Sequence, residues 1–378
     1  MSALLVFDKL PTRSVVCWNA LLAGYAEQGL AFEVWNLMEG MRSEGLSMDV
    51  TTFSSSIKAC NKGGSLEMGL SIHAEVVKEG LERHPVIGSA LVDMYASCGF
   101  SGEAQDVLHE LGLREVVAWT ALMAGYVEQE HGEDVLNCYE KMQAEGILPN
   151  SFTYVCAVKA CGCEGLIDRG RELHGEVVKK GLEQSSFTCS ALVDMYTRCS
   201  MLQEAKAVFD WLPSKDVVLW SAWIAGCARG GAGMLAIKSF EDMSQEGILP
   251  EDITFSSVFA VCSHEGLVDK GLSYFESMIT EYKVIPTMEH SNCLVDMLAR
   301  AGQLNSAVAL LESIPEAPTS ITWNVLLGAC RNWGSLHIGL QAFEAALNLN
   351  KTEAASYYLM SDIFADAGMW AEVKSWMH

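Results

Sequence analysis

The chain is 378 residues long, half of them hydrophobic, with eight prolines and a formal net charge of −23. That apolar content excludes a disordered chain, and the longest nearly apolar run, around Val217 to Ala228, is shorter than the roughly 18 to 20 residues a membrane span needs. The acidity excludes a broad basic surface of the kind nucleic-acid binders commonly present, so any such surface has to be local.

In chain order, Ala3-Leu4-Leu5-Val6-Phe7-Asp8-Lys9-Leu10-Pro11 resembles Ala207-Val208-Phe209-Asp210-Trp211-Leu212-Pro213, which closes a repeat further on. Residues 1–14 are therefore expected to be the end of a truncated repeat. From Val15 the chain begins to repeat itself. Trp18-Asn19-Ala20-Leu21-Leu22-Ala23-Gly24-Tyr25 returns at Trp119, at Trp220 and, more loosely, at Trp323, in steps of 101, 101 and 103 residues. Lys58-Ala59-Cys60 with Lys159-Ala160-Cys161, His73 with His174, and Leu91-Val92-Asp93-Met94-Tyr95 with Leu192-Val193-Asp194-Met195-Tyr196 keep the same step.

Apolar residues within a block follow helical spacing. Trp18, Leu21, Leu22 and Tyr25 predict a first helix that stops at Gly29, and Val34, Leu37, Met38 and Met41 a second that stops at Gly45. Each block divides into hairpins of 35, 35 and 31 residues, giving blocks 15–115, 116–216 and 217–319. Two divergent hairpins follow, Ser320 to Glu353 and Ala354 to His378. A hairpin of this size cannot bury both of its apolar faces alone, so successive hairpins must stack and share a core. The predicted fold is all-α, a right-handed α-solenoid of stacked helical hairpins, with first helices on one face and second helices on the other.

Catalytic constellations are weak by comparison. The thirteen cysteines include no C-x-x-C, which points to small buried thiols in a reducing compartment rather than to a disulfide framework or zinc knuckle. His73-Ala74-Glu75, His131-Gly132-Glu133 and His174-Gly175-Glu176 match H-x-E, but a zinc deaminase also needs P-C-x-x-C, which the sequence lacks. His73 and His174 recur at the repeat step, as architecture does. With no phosphate loop or nucleophile elbow either, the sequence predicts neither an enzyme nor a cofactor.

The Trp-Asn-Ala-Leu-Leu-Ala-Gly-Tyr landmark, with ends such as Met142-Gln143-Ala144-Glu145-Gly146-Ile147-Leu148-Pro149-Asn150, resembles the pentatricopeptide repeat family over essentially the whole chain. The 35, 35, 31 alternation resembles its plant PLS subclass: nine motifs over 15–319, then an E1 and a partial E2 repeat over 320–378. In that family each repeat meets one base of single-stranded RNA, read by two side chains. The resemblance implies Asn19 with Asp49 for uracil, Thr120 with Asn150 for adenine, Ser190 with Asp216 for guanine and Asn292 with Thr319 for a pyrimidine. Ser89 with Glu115 and Ser221 with Glu251 occupy the same positions with less information. Val16, Val117 and Val218 would sandwich bases, and the N-terminal repeat would face the RNA 5′ end. A carboxamide offers both a donor and an acceptor to a Watson–Crick edge, whereas a hydroxyl offers one smaller group.

Eight residues beyond the nine first readers stand four basic residues, Lys62, Arg198, Arg229 and Arg300, although Lys and Arg make up only 25 of 378 residues. They are the candidate phosphate contacts, while the acidic remainder would repel nonspecific RNA. The implied function is that of an organellar C-to-U editing specificity factor, mitochondrial or alternatively chloroplastic, its true leader upstream of this segment. It would act as a monomer off the membrane, binding single-stranded organellar RNA and meeting a deaminase domain or editing cofactor protein through 320–378. The alternative is a protein-interaction scaffold whose acidic charge selects basic partners.

Overall fold

The structure, a computed structural model, describes Phe7 and residues 12–110, 112, 115–313, 318–351 and 353–369. The repeat-end segment Ala3 to Pro11, apart from Phe7, and residues 370–378 of the last hairpin lie outside the described residues. Among the described residues there are 21 helices and no strand, and no helix is long and apolar enough to cross a membrane.

The chain divides into two units, Met1–Met195 and Tyr196–His378. In the first, the hairpins are α1 (Val15–Ala26) with α2 (Ala31–Ser43), α3 (Val50–Gly63) with α4 (Leu66–Lys78), and α5 (Pro85–Ser97) with α6 (Ser101–Glu110). α7 (Val116–Glu128) with α8 (Gly132–Ala144) and α9 (Ser151–Glu164) with α10 (Ile167–Lys179) follow, and α11 (Ser186–Arg198) lies at the boundary. The second unit holds α12 (Leu202–Trp211), then α13 (Val217–Arg229) with α14 (Gly233–Gln245), α15 (Asp252–Glu265) with α16 (Val268–Thr280), and α17 (Met288–Arg300) with α18 (Leu304–Ser313). It continues through α19 (Ser320–Trp333) with α20 (Leu336–Leu349) to α21 (Ala354–Asp366).

Local chemistry sets these boundaries. Asp49 and Asn150 open α3 and α9 by accepting the third-residue amides of Thr52 and Thr153 at 2.9 Å each, satisfying donors that a helix start leaves unpaired. Pro85 begins α5, where a missing N–H costs nothing. Gly64, Gly165, Gly266 and Gly334 close α3, α9, α15 and α19 in the left-handed region, which only glycine enters without a Cβ penalty. α1 and α2 end at Ala26 and Ser43, slightly before Gly29 and Gly45. Those glycines stand instead in the turns, at φ of 70° and 75°.

First helices stack directly on one another. α1 packs on α3, α3 on α5, α5 on α7 and α7 on α9 in the first unit, and α13, α15, α17, α19 and α21 do the same in the second. Second helices flank this layer, each against its own first helix. The recurring sequence landmarks are the contacts of that stack. In Val-Asp-Met-Tyr of α5, Asp93 accepts a bond from Asn61 Nδ2 of α3 at 2.5 Å, and Tyr95 OH lies 2.8 Å from His73 Nδ1. Met94 fills the space over Gly69, where an added Cβ would lie 2.5 Å from its sulfur. Gly170 meets Met195 and Gly271 meets Met297 in the same way. Burial lowers the pKa of His73, as expected of a histidine used for packing. The landmark tryptophans Trp18, Trp119 and Trp220 are all core residues, and Trp220 rests edge-on against Phe209 of α12 at 4.8 Å.

The landmark glycine answers to the same packing. A Cβ on Gly125 of α7 would lie 2.5 Å from the Cβ and 2.9 Å from the Cα of Ala96 in α5, whereas one on Gly24 of α1 would meet nothing within 4 Å. Gly125→Ala should therefore destabilise the protein by about 1–3 kcal/mol through overpacking against backbone. Gly24→Ala should stabilise it by about 0.5–1 kcal/mol through helix propensity. Urea midpoints of the two variants, shifted in opposite directions, check the assignment.

Candidate nucleic-acid interface

In four hairpins the fifth residue of the first helix is held by a threonine at the start of the next first helix. Thr52 donates its hydroxyl to Asn19 Oδ1 at 2.7 Å and accepts the Asp49 amide at 3.2 Å. Asn19 Nδ2 donates to Asp49 Oδ1 at 3.0 Å. The carboxamide is thus fixed on both sides, leaving one N–H and one acceptor lone pair for another partner. Thr322 likewise donates to Asn292 Oδ1 at 2.6 Å and lies 3.0 Å from the Thr319 hydroxyl. Where the fifth residue is itself a hydroxyl, the contact persists: Thr120 to Thr153 at 3.2 Å and Ser221 to Thr254 at 2.6 Å.

These four threonines are fully buried, so their hydroxyls require partners. The sequence reading passed over them. The signal was present as a capping pattern, Asp49-x-x-Thr52, Asn150-x-x-Thr153, Glu251-x-x-Thr254 and Thr319-x-x-Thr322. The pairing is thereby three-membered: Asp49 touches Asn19 directly, while Asn150 reaches Thr120 through Thr153, whose hydroxyl lies 3.0 Å from Asn150 Oδ1. The readers differ in exposure. Asn19 and Ser221 are 9% exposed, and Ser89 is 8% exposed with its hydroxyl unpaired. Thr120, Ser190 and Asn292 are half-buried. Ser190 donates to the Phe187 carbonyl of its own helix, and Asp216 caps α13 by accepting the Leu219 amide. Glu251 meets Thr254 through its backbone amide, at 3.3 Å.

Beside the readers in each unit stand exposed apolar side chains. Val16, Val117 and Val218 are exposed, and so are Val86, Phe152, Phe187, Ile253 and Ile321 at the same second position of other first helices, all between 40% and 74%. Phe152 and Phe187 lie 5.0 Å apart, ring centre to ring centre. Equal register would have identified these five from the sequence as readily as the three valines. Exposed apolar side chains beside polar ones mark a binding surface rather than a core. In the first unit Val86, Val117 and Phe152 line a cavity of about 580 Å³ together with Ser89, Glu115, Thr120 and Asn150. Two predicted reader pairs thus share one opening.

The candidate cations are less open. Lys62 and Lys58 both bind Glu27, at 2.6 and 2.5 Å, and their hydrogen bonds pull its carboxyl down to about 2. Arg300 donates its Nε–H to Asp296 at 2.8 Å, leaving its other N–H groups for a further partner. Arg198 and Arg229 close α11 and α13.

Thr52→Val removes one hydroxyl and strands both Asn19 Oδ1 and the Asp49 amide. It should cost about 1–3 kcal/mol, the penalty for unsatisfied buried groups, read as a lowered urea midpoint. At Asp49, burial raises the pKa but bonds from Thr52 and Asn19 outweigh it, and the value falls below normal. Its contribution to stability is complete above the ordinary carboxylate value of about 4 and disappears as pH drops through the lower folded value. Asp49→Asn should accordingly flatten the acid limb of the stability profile, measured by urea unfolding across that range.

Sequence profiles described as the PPR repeat family match residues 13–62 and 114–163. A profile described as the PPR repeat matches 152–182, 187–210, 218–248 and 253–281; together they cover more than half of the chain. Among relatives from Arabidopsis thaliana, a mitochondrial pentatricopeptide repeat-containing protein is 34% identical over 390 residues, spanning 98% of this chain and 43% of its own length. A second mitochondrial one is 32% identical, spanning 99% of this chain and 67% of its own length. The chloroplastic protein CRR2 is 36% identical, spanning 98% and 57% respectively. The chain thus spans about half the length of the relatives it matches, between 43% and 67% of these three. The crystal structure of the pentatricopeptide repeat protein PPR10 in complex with an 18-nt psaJ RNA element aligns with a TM-score of 0.68 at 17% identity, over 98% of this chain and 55% of that one, and so shares its helical-solenoid fold. The chain belongs to the pentatricopeptide repeat family.

Proposed function

We propose that this chain binds single-stranded RNA with one nucleobase per hairpin and serves as an organellar C-to-U editing specificity factor. The observation that carries the reading is the cavity of about 580 Å³ between α5, α7 and α9, where hydrogen-bonding readers sit among Val86, Val117 and Phe152. Unpaired bases need such a site: an apolar surface for stacking and a polar floor for the Watson–Crick edge. The RNA carried by PPR10 in its crystal structure supports the same reading. The alternation of 35, 35 and 31 residues supports a PLS-type array, with 320–378 as E1 and partial E2 repeats.

On this reading the chain is no enzyme. It positions one cytidine, and a deaminase domain or editing cofactor meeting 320–378 supplies the chemistry. Relatives named both mitochondrial and chloroplastic support an organellar location, of which we favour the mitochondrion. With the N-terminal hairpin toward the RNA 5′ end, the readers of the first, fourth, sixth and ninth hairpins give the pattern UNNANGNNY.

Filter binding to synthetic single-stranded RNAs tests this. RNA with that pattern should bind more tightly than RNA with the first U replaced by A, and Asn19→Thr with Asp49→Asn should reverse that order. Phe152→Ala should weaken binding to every sequence by about 1–3 kcal/mol, the worth of one stacked base. Four phosphate contacts give a log–log salt slope of about −3. Salt-insensitive binding, or none, would favour the acidic protein-interaction scaffold instead.

A further inference from the structure

The reading array extends one hairpin further than the nine motifs, into the segment that the sequence places outside it. Trp323-Asn324 on α19 repeats Trp18-Asn19 on α1, and the structure gives the two asparagines the same surroundings. Asn324 Nδ2 donates to Glu353 Oε1 at 2.8 Å, and Ser356 donates its hydroxyl to Asn324 Oδ1 at 2.8 Å. Glu353 thus stands where Asp49 stands and fully buried Ser356 where Thr52 stands. Ile321, 67% exposed, takes the place of Val16.

A purely structural role for this group does not account for it. Asp49 caps α3 while holding Asn19, but the Glu353 side chain makes no capping bond to α21. Among the described residues its side chain bonds Asn324, and its other oxygen, Oε2, is buried without a partner. Buried carboxylate oxygens are expensive to leave unpaired. A cavity of about 550 Å³ adjoins Asn324, lined also by Val325, Asn332, Trp333 and by Arg300 with the Asp296 carboxylate that accepts its Nε–H. It therefore combines an aromatic face, carboxamides and an arginine whose N–H groups other than Nε–H are left by Asp296 for a further partner. Asn324 and Val325 occupy in α19 the register that Thr120 and Ala121 occupy in α7, where they line the cavity described above.

We propose that Asn324, Glu353 and Ser356 form a tenth base-reading site, which takes the RNA nucleotide immediately 3′ of the one read by Asn292. It shares the donor and acceptor set of Asn19, Asp49 and Thr52, and so prefers the same base as the first hairpin, uracil. This rests on the RNA-binding reading above. The test is selection by the full chain from a randomised single-stranded RNA pool, followed by sequencing of the bound fraction. The wild type should show its preferences at the first, fourth, sixth and ninth positions and a further one for uracil at the tenth, and Asn324→Ala should erase the tenth alone, lowering affinity for uracil-bearing RNA about tenfold, the worth of one or two hydrogen bonds. Asn324→Ser, which keeps a hydroxyl for Ser356, should also lose the uracil preference and provides the reading if the alanine variant does not fold. Asn19→Ala is the control. If it erases the first preference while the Asn324 variants leave the tenth unchanged, or no tenth preference exists, the tenth site is refuted and the nine-hairpin reading stands. If neither variant alters the profile, or the pool does not bind, base reading fails altogether and this site with it.

Discussion

The buried hydroxyl at the third residue of a first helix is the constraint from which the interface follows. In Thr52 it receives the cap residue's amide and donates to the reader of the preceding hairpin. A buried hydroxyl cannot be left without partners, so the helix start, the hairpin junction and the reader rotamer are fixed together. None can shift without unpairing another. The arrangement orders a polar side chain before any ligand arrives, which reduces the conformational entropy lost on binding. It also explains why Asn19 is nearly enclosed although its remaining hydrogen-bonding groups are available.

The same economy shapes the electrostatics. Carboxylates do not simply coat the outside of an acidic chain; they take up specific cations. Glu27 holds two lysines, Asp296 holds Arg300, and Asp362 holds Arg331. Such exposed pairs contribute little stability, but they lower the free positive charge beside the readers. If the chain reads RNA as proposed above, such an interface depends more on stacking and base-edge contacts than a uniformly basic groove does. On that reading, the exposed apolar side chains at the second position of the first helices in each unit supply the surface for that.

Packing between successive hairpins relies on size rather than polarity. Gly125 allows α7 to approach Ala96, and Gly69, Gly170 and Gly271 each receive a methionine. Close contacts of this kind keep the spacing between first helices constant, and with it the spacing between readers. A register error at one glycine would displace the next fifth-residue side chain from its threonine.

Much of this was legible in the sequence. Periodicity in Trp18, Trp119, Trp220 and Trp323 is a property of the chain itself, and amphipathic spacing with capping residues and turn glycines is local chemistry, so the all-helical stack of hairpins followed directly. The reader positions came from the resemblance to the pentatricopeptide repeat family. What the sequence could not show was contact between residues some thirty apart, because side-chain hydrogen bonds depend on how one hairpin seats on the next. Only the tertiary structure joined Asn19 to Thr52, placed Lys62 on Glu27, explained why Gly125 is glycine while Gly24 need not be, and gave Asn324 the partners of a reader in a segment whose sequence had diverged. Local order was written in the chain, and the distribution of polar partners was decided by packing, since burial creates the demand that each hydroxyl, amide and carboxylate be met by whichever neighbour the stack brings within reach.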